Sequence, residues 1–314
     1  MQAFESGLVD IVREFLRTDH LLRRAFIRHR SGELSWEEVQ QIAGADDSSA
    51  LFRLKERCHA LFRAGELDRD MARVGLFDLA VGSLFHEAMK LRENYYQLEV
   101  YAPKVAQAKE AAGPDAAPLF EEFDRILVAS RQRLAEAVEE SEALLRQTRH
   151  QFRGLVSVHK DSGLVARFLL ENAARAEDVL GEPLDAFFAW LHGSAAIGYG
   201  VAARSYLDSG FFDEAGRALA QALARDPQRA EWKRAAAYAA GMSSYVRGRY
   251  EDSLRHLAEW IEARPEPCEA RLARLAHTAI SQLGHLAEGE SRSRIASEAE
   301  QLAKRLSPLV ATAS

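Results

Sequence analysis

Cysteine is almost absent from this chain. Its 314 residues include two, Cys58 and Cys268, far apart and with no Cys-x-x-Cys spacing. That excludes a disulfide framework and suits a reducing compartment. Long apolar runs are missing too. Although 47% of the residues are hydrophobic, no stretch approaches the roughly 18 needed to span a bilayer. The start, MQAFESGLVDIVREF, is acidic and amphipathic rather than a basic leader followed by an apolar stretch. A cytoplasmic protein without membrane insertion is therefore expected. There is no excess of positive charge: the net charge is -6, so nothing draws the chain as a whole to nucleic acid or anionic lipid. Strict apolar–polar alternation never persists, which leaves no strand signal.

The motifs of common catalysts are also missing. There is no Walker loop, no His-Glu-x-x-His, no nucleophile elbow and no glycine-rich dinucleotide turn. Glu56-Arg-Cys-His59 has the Glu-x-x-His spacing of di-iron bundles, but no second copy accompanies it. His86 and Glu87 are adjacent, so on a helix they point apart. Cys58 and His59 make no catalytic pair by adjacency alone. The expectation is a non-catalytic protein with no cofactor and no metal.

What the chain does have is helical spacing throughout, and an all-α fold is expected. A first helix is predicted from about Phe4 to His29. A second begins at Ser35, where Ser35 and Glu38 make a capping box, and ends at Gly44. A third runs from about Ser48 to Arg63 and stops at Ala64-Gly65. A long helix follows from Asp68 to Ala112, with a kink at Pro103. After the break Gly113–Pro118, another long helix covers Leu119 to Leu155. In it Phe120, Phe123, Leu127, Ser130, Leu134, Ala137, Ser141 and Leu144 recur at three- and four-residue spacing. This seam predicts an antiparallel helical hairpin. The stretch Val158–Ser162 is a joint, followed by helices near Gly163–Ala176 and Glu182–His192. The acidic run Glu136–Glu142 reads as a solvated face. Abundant alanine, and arginine far in excess of lysine, point to a GC-rich bacterial genome.

The stretch Ala195–Pro227 is the most informative. Tyr199, Ala202, Ala203 and Tyr206 share one helix face, Gly210 breaks the helix, and Asp213 and Glu214 open the next. Ala215, Leu219 and Ala222 form that helix's apolar face, and Asp226-Pro227 stops it. This large–small pattern resembles one unit of the tetratricopeptide repeat family, whose period is about 34 residues. Gly241, Gly248, Tyr250, Leu257, Trp260 and Pro265 repeat it 38 positions on, counted from Ala203 to Gly241, with Ser253 in place of the expected alanine. A third copy is anchored on Gly284, Ala296, Ala303 and Pro308, and its turn region Glu288–Arg294 lacks the aromatic.

The expected organisation has four segments. Residues 1–66 form a three-helix module, 67–158 the hairpin, 159–194 connecting helices or a degenerate repeat, and 195–314 a tetratricopeptide-like α-solenoid with its cap.

The resemblance implies a scaffold that holds a protein or peptide partner on the concave face. That face would be lined by the first helix of each pair. The family pattern places Gly200, Arg204 and Asp208 there, then Tyr238, Met242 and Tyr245, then Ser281 and His285. Tyr238, Met242 and Tyr245 form one stripe at i, i+4 and i+7. They suit an apolar partner helix, or equally packing against a neighbouring helix of the same chain. Gly200 stands where some family members carry a basic clamp for a peptide carboxylate.

A second resemblance covers Leu34–Arg63, which is similar to the helix-turn-helix of sigma-factor region four. Leu34, Ser35, Glu37, Glu38, Val39, Ile42 and Gly44 match its first helix and turn. Arg53, Leu54, Ala60, Leu61 and Arg63 match the recognition helix. It implies, as the alternative, a DNA-binding regulator that contacts the duplex through Arg53, Lys55 and Arg57. Asp46 and Asp47 would face phosphates, and Leu51 and Phe52 suit packing on protein.

Overall fold

The computed structural model describes residues 2–17, 25, 28–29, 31–45, 49–65, 69–113, 117–263, 269–287 and 292–311. Asp46, Asp47, Ser48, Pro265, Cys268 and the turn 288–291 lie outside the described residues, as do most positions between 18 and 30. The fold is all-α, and among the described residues there is no strand. No helix among them is long and apolar enough to cross a membrane. The chain divides into two compact units. One comprises residues 1–159 with Arg175–Gly181, the other 160–174 with Glu182–Ser314. The expected N-terminal module and hairpin thus share one unit.

In the first unit, helices α1 (Gln2–Arg17), α2 (Trp36–Ala45) and α3 (Ser49–Ala64) gather on the long helices α4 (Arg69–Tyr96) and α6 (Ala117–Val158). The capping box forms at the start of α2. Ser35 N–H donates to Glu38 Oε2 at 2.7 Å, and Glu38 N–H to Ser35 Oγ at 3.3 Å. Helix α4 buries Met71, Val74, Phe77, Val81, Leu84 and Leu91, and α6 answers with Leu134, Ala137, Ser141, Leu145 and Phe152. Both stripes follow three–four spacing, so the helices lie side by side along their length. Phe15 of α1 stacks on Phe152 at 4.2 Å between centroids and meets Phe77 edge-on at 5.7 Å. This fully buried triad closes the base of the unit. Arg175 Nε donates to Leu16 O at 2.7 Å at the C-terminal end of α1, where a cation suits the helix dipole.

The kink expected at Pro103 has a physical form. Residues Gln97–Tyr101 make a π-helical turn, and Ala102 N–H donates to Gln97 O, five residues back. Proline has no N–H and its ring crowds the carbonyl four residues earlier. Widening the helix just ahead of it relieves both, and α5 (Ala102–Ala112) then continues.

One expectation is corrected here. The helix anticipated over Gly163–Ala176 is two, α7 (Gly163–Glu171) and α8 (Ala173–Leu180). Asn172 breaks it, its side-chain Nδ2 donating to Phe168 O at 2.8 Å in competition with the backbone.

The second unit stacks α7 and α9 (Leu184–His192) on α10 (Ala195–Asp208). Then come three helix pairs: α10 with α11 (Phe212–Arg225), α12 (Ala230–Val246) with α13 (Tyr250–Glu262), and α14 (Ala270–Leu286) with α15 (Arg292–Ala311). The first two pairs turn identically. Gly210 has φ 79° and Gly248 φ 72°. Phe211 N–H reaches Tyr206 O and Arg249 N–H reaches Ser244 O, both at 2.9 Å. This is the Schellman closure, which places glycine in the left-handed region. The third pair departs from its expected anchors. Its buried stripe is Ile295, Ala299, Leu302 and Leu306, with Ala296 and Ala303 only half-buried beside it. Pro308, the last anchor of the third copy, lies within α15 and not beyond its end.

Candidate binding surface

The first helices of the three pairs, α10, α12 and α14, line a cleft of about 250 Å³. Its floor exists because Gly200 has no side chain. A Cβ there would stand 2.7 Å from Trp232 Nε1, so the indole of α12 lies directly against α10. Trp232 is buried, and the exposed Arg229 places its guanidinium 4.7 Å from the ring centroid. This exposed cation–π contact, worth about 0.5–1 kcal/mol, covers one side of the indole. Deeper in, Arg234 Nε donates to Glu269 Oε2 at 3.0 Å, with the two side chains 8% and 6% exposed. That pair ties α12 to the start of α14. Two charges so far from water gain little net stability from each other, but neither tolerates losing its partner.

The rim behaves differently. Arg204 Nε lies 3.5 Å from Asp208 Oδ2, and Arg229 Nε 3.6 Å from Glu231 Oε2, in pairs that stay well exposed. Arg271 Nη2 donates to Asp208 O at 3.4 Å. Exposed pairs of this kind are worth about 0–1 kcal/mol. A carboxylate arriving from outside can replace either acid at little cost. The cleft therefore joins a rigid aromatic floor to exchangeable arginines.

A bidentate ion pair braces the helices behind it. Arg225 Nε and Nη2 donate to the two carboxylate oxygens of Asp185, each at 2.8 Å, and Tyr199 Oη donates to Asp185 Oδ1 at 2.8 Å. The Arg225 guanidinium also lies 4.4 Å from the Tyr199 ring centroid. This holds α9, α10 and α11 as one block.

The predicted site residues divide. Arg204 lines the cleft, with Asp208 one turn along the same helix. Tyr238 does not present a surface: it is 0% exposed, with its ring 5.0 Å from Trp260 and 6.1 Å from Phe212. Burial pushes its phenol well above the ordinary range. Met242 is buried as well. The anchoring role expected of these two is corrected, because neither can touch a partner without opening the core. Tyr245 is half-buried, donating from Oη to Gln282 Oε1 of α14, and His285 is exposed.

Trp232, Arg234 and Glu269 escaped the sequence reading. The available signal was Gly200, read only as a missing clamp, when a helical glycine also makes room for a large neighbour.

In the first unit, Arg53 Nε lies 3.3 Å from Glu14 Oε2. Lys55 Nζ is 6.0 Å from the Phe85 ring centroid, and Arg57 is exposed. Leu51, Leu54 and Cys58 face the interior of the unit, and Phe52 is half exposed. His59 Nε2 sits 2.9 Å from Asp78 Oδ2. Among the described residues no group of three or more histidine, cysteine or acidic side chains is placed to hold a metal.

Comparison with protein-family models, with curated proteins and with solved structures finds no match for this chain.

Proposed function

We propose that this chain is a non-catalytic adaptor that works in the cytoplasm and holds a segment of a partner protein in the cleft between α10, α12 and α14. The observation that carries the reading is the cleft itself. A concave surface backed by Trp232, and rimmed by Arg204 and Arg229 in weak exposed pairs, suits a segment with one apolar side chain and carboxylates on either side. The tetratricopeptide-like pattern of Ala195–Pro227, and its repeat with the same Schellman turn, support a scaffold of stacked helix pairs. The buried thiol of Cys58 supports a reducing compartment.

The test is affinity capture from lysate of the native host, comparing the wild-type chain with Arg204→Glu/Arg229→Glu. Both side chains are exposed, so helicity should not change. Exposed pairs of this kind contribute about 0–1 kcal/mol each, and reversal adds repulsion of similar size, so the double variant should weaken capture by about 10-fold. A partner retained equally by both chains would refute the cleft as its binding site.

A further inference from the structure

The seam of α6 does not stay covered. Leu119 and Phe123 lie 18 residues, about five turns, ahead of Ala137 and Ser141, so they point in the same direction. Ala137 and Ser141 are 3% and 1% exposed, whereas Leu119 is 75% and Phe123 46% exposed. Ile126, on the same stripe, is 41% exposed. The cause is the opposite helix. Near Leu134 and Val138 the stripe is covered by α2 and α4 through Val39 and Leu91, with Trp36 and Leu98 packed alongside. Nearer its start the neighbour is α5, APKVAQAKEAA, which buries Val105 and has no other large apolar side chain.

We propose that a second copy of this chain covers the open third of the seam, two hairpin tips packing about a two-fold axis. The first argument is area. Taking about 200 Å² for a whole large side chain, the three residues with half-buried Phe120 and Leu127 leave roughly 400 Å² of apolar surface. A lone patch of that size marks an interaction site. Two copies bury roughly 800 Å² of it. Since apolar atoms make up about 60% of an interface, the whole contact comes to about 1,300 Å², within the range of stable dimers. The second argument is the border of the patch. Lys109 pairs with Asp124 and Arg125 with Glu122 within the chain, so these flanking charges are already matched and a second copy of the same surface, set against it by a two-fold axis, meets no net repulsion from them.

Sedimentation equilibrium of the full chain from about 1 to 100 μM tests this, with Phe123→Gln/Ile126→Gln as the comparison. Glutamine is a good helix former and both sites are exposed. The wild type should rise toward twice the mass of one chain, and the variant should remain at one chain with unchanged helicity. A wild type that stays at one chain throughout overturns the proposal and leaves the seam to a partner of another sequence. A variant that associates as tightly as wild type overturns it too. Should the variant lose helicity, wild-type hydrogen exchange decides. Protection over residues 119–127 that rises with concentration supports the dimer, and protection independent of concentration overturns it.

Discussion

Replacing Tyr238 with phenylalanine should stabilise the second unit. The ring is fully buried beside Trp260 and Phe212, and among the described residues its hydroxyl has no hydrogen-bond partner. A buried hydroxyl without a partner costs about 1–3 kcal/mol in lost hydration. Tyr238→Phe keeps the ring and removes that cost, so a gain of about 1 kcal/mol is expected. Tyr238→Ala removes the ring from a closed site and should cost about 3–5 kcal/mol. The pair of variants separates packing from recognition. If Tyr238 were a partner contact, both would impair capture. As a core residue, the phenylalanine variant should capture normally while the alanine variant loses the unit's structure.

Urea unfolding followed by tryptophan fluorescence reads the difference, because Trp260 neighbours the substituted ring and Trp190 and Trp232 belong to the same unit. With an m-value of about 2 kcal/mol/M, the phenylalanine variant should shift the midpoint up by about 0.5 M at unchanged slope. A shift downward would refute the reasoning. It would mean that a buried water satisfies the hydroxyl, together with Ser253 Oγ and Trp260 Nε1, which have no partner among the described residues either.

Other outcomes follow from the same physics. His192 Nε2 is buried with no hydrogen-bond partner among the described residues, and burial holds the ring's pKa below its ordinary 6.5; the unfolded chain binds that proton more readily, so stability should fall as pH drops below about 6.5, and a melting series should show a steeper fall in wild type than in His192→Gln. Glu269→Gln should lose about 3–5 kcal/mol by leaving Arg234 buried without its counter-charge, whereas Arg234→Met/Glu269→Leu should recover most of it, as chemical denaturation of the two variants beside wild type will show. Burial, reinforced by Asp78, pushes the Cys58 thiol well above the ordinary range; alkylation of its peptide under native conditions should therefore be far slower than in denaturant, and labelling at equal rates would count against the buried placement.

Local chemistry was legible from the sequence wherever it is complete within a few residues. Ser35 and Glu38 specify a cap between themselves, and Gly210 and Gly248 specify left-handed turns. Tertiary cover was not legible. The stripe Tyr238–Met242–Tyr245 announces an apolar face but not its neighbour: Trp260 of α13 covers Tyr238, and Met242 is buried as well. The α6 seam shows the reverse. Its spacing is continuous from Phe120 to Leu144, so it reads as evenly buried, yet a helix of alanine and lysine faces its first third. Pro308 lies so near the end of α15 that it removes one backbone hydrogen bond without stopping the helix.

Gly200 and Tyr238 occupy corresponding positions, 38 apart, in the first and second helix pairs. The surroundings differ as well, since Arg204 corresponds to Met242 and Trp232 to Ala270 at the same offset. Where the residue is tyrosine, its buried ring lies against Phe212 of α11 and Trp260 of α13. Where it is glycine, Trp232 of the next pair moves in against the α10 backbone and leaves a hollow ringed by the arginines. The flanking acids, also 38 apart, keep the register through this change. Asp213 accepts from Ser243 and Arg247 at the end of α12, and Glu251 from Arg294 at the start of α15. Each pair is thus pinned to a later one by an acid in the first turn of its second helix, where the helix dipole favours negative charge. The residue at the position shared by Gly200 and Tyr238 therefore sets how closely the next aromatic ring approaches the first helix of its pair: glycine admits Trp232 against α10, and tyrosine itself supplies the buried ring of α12.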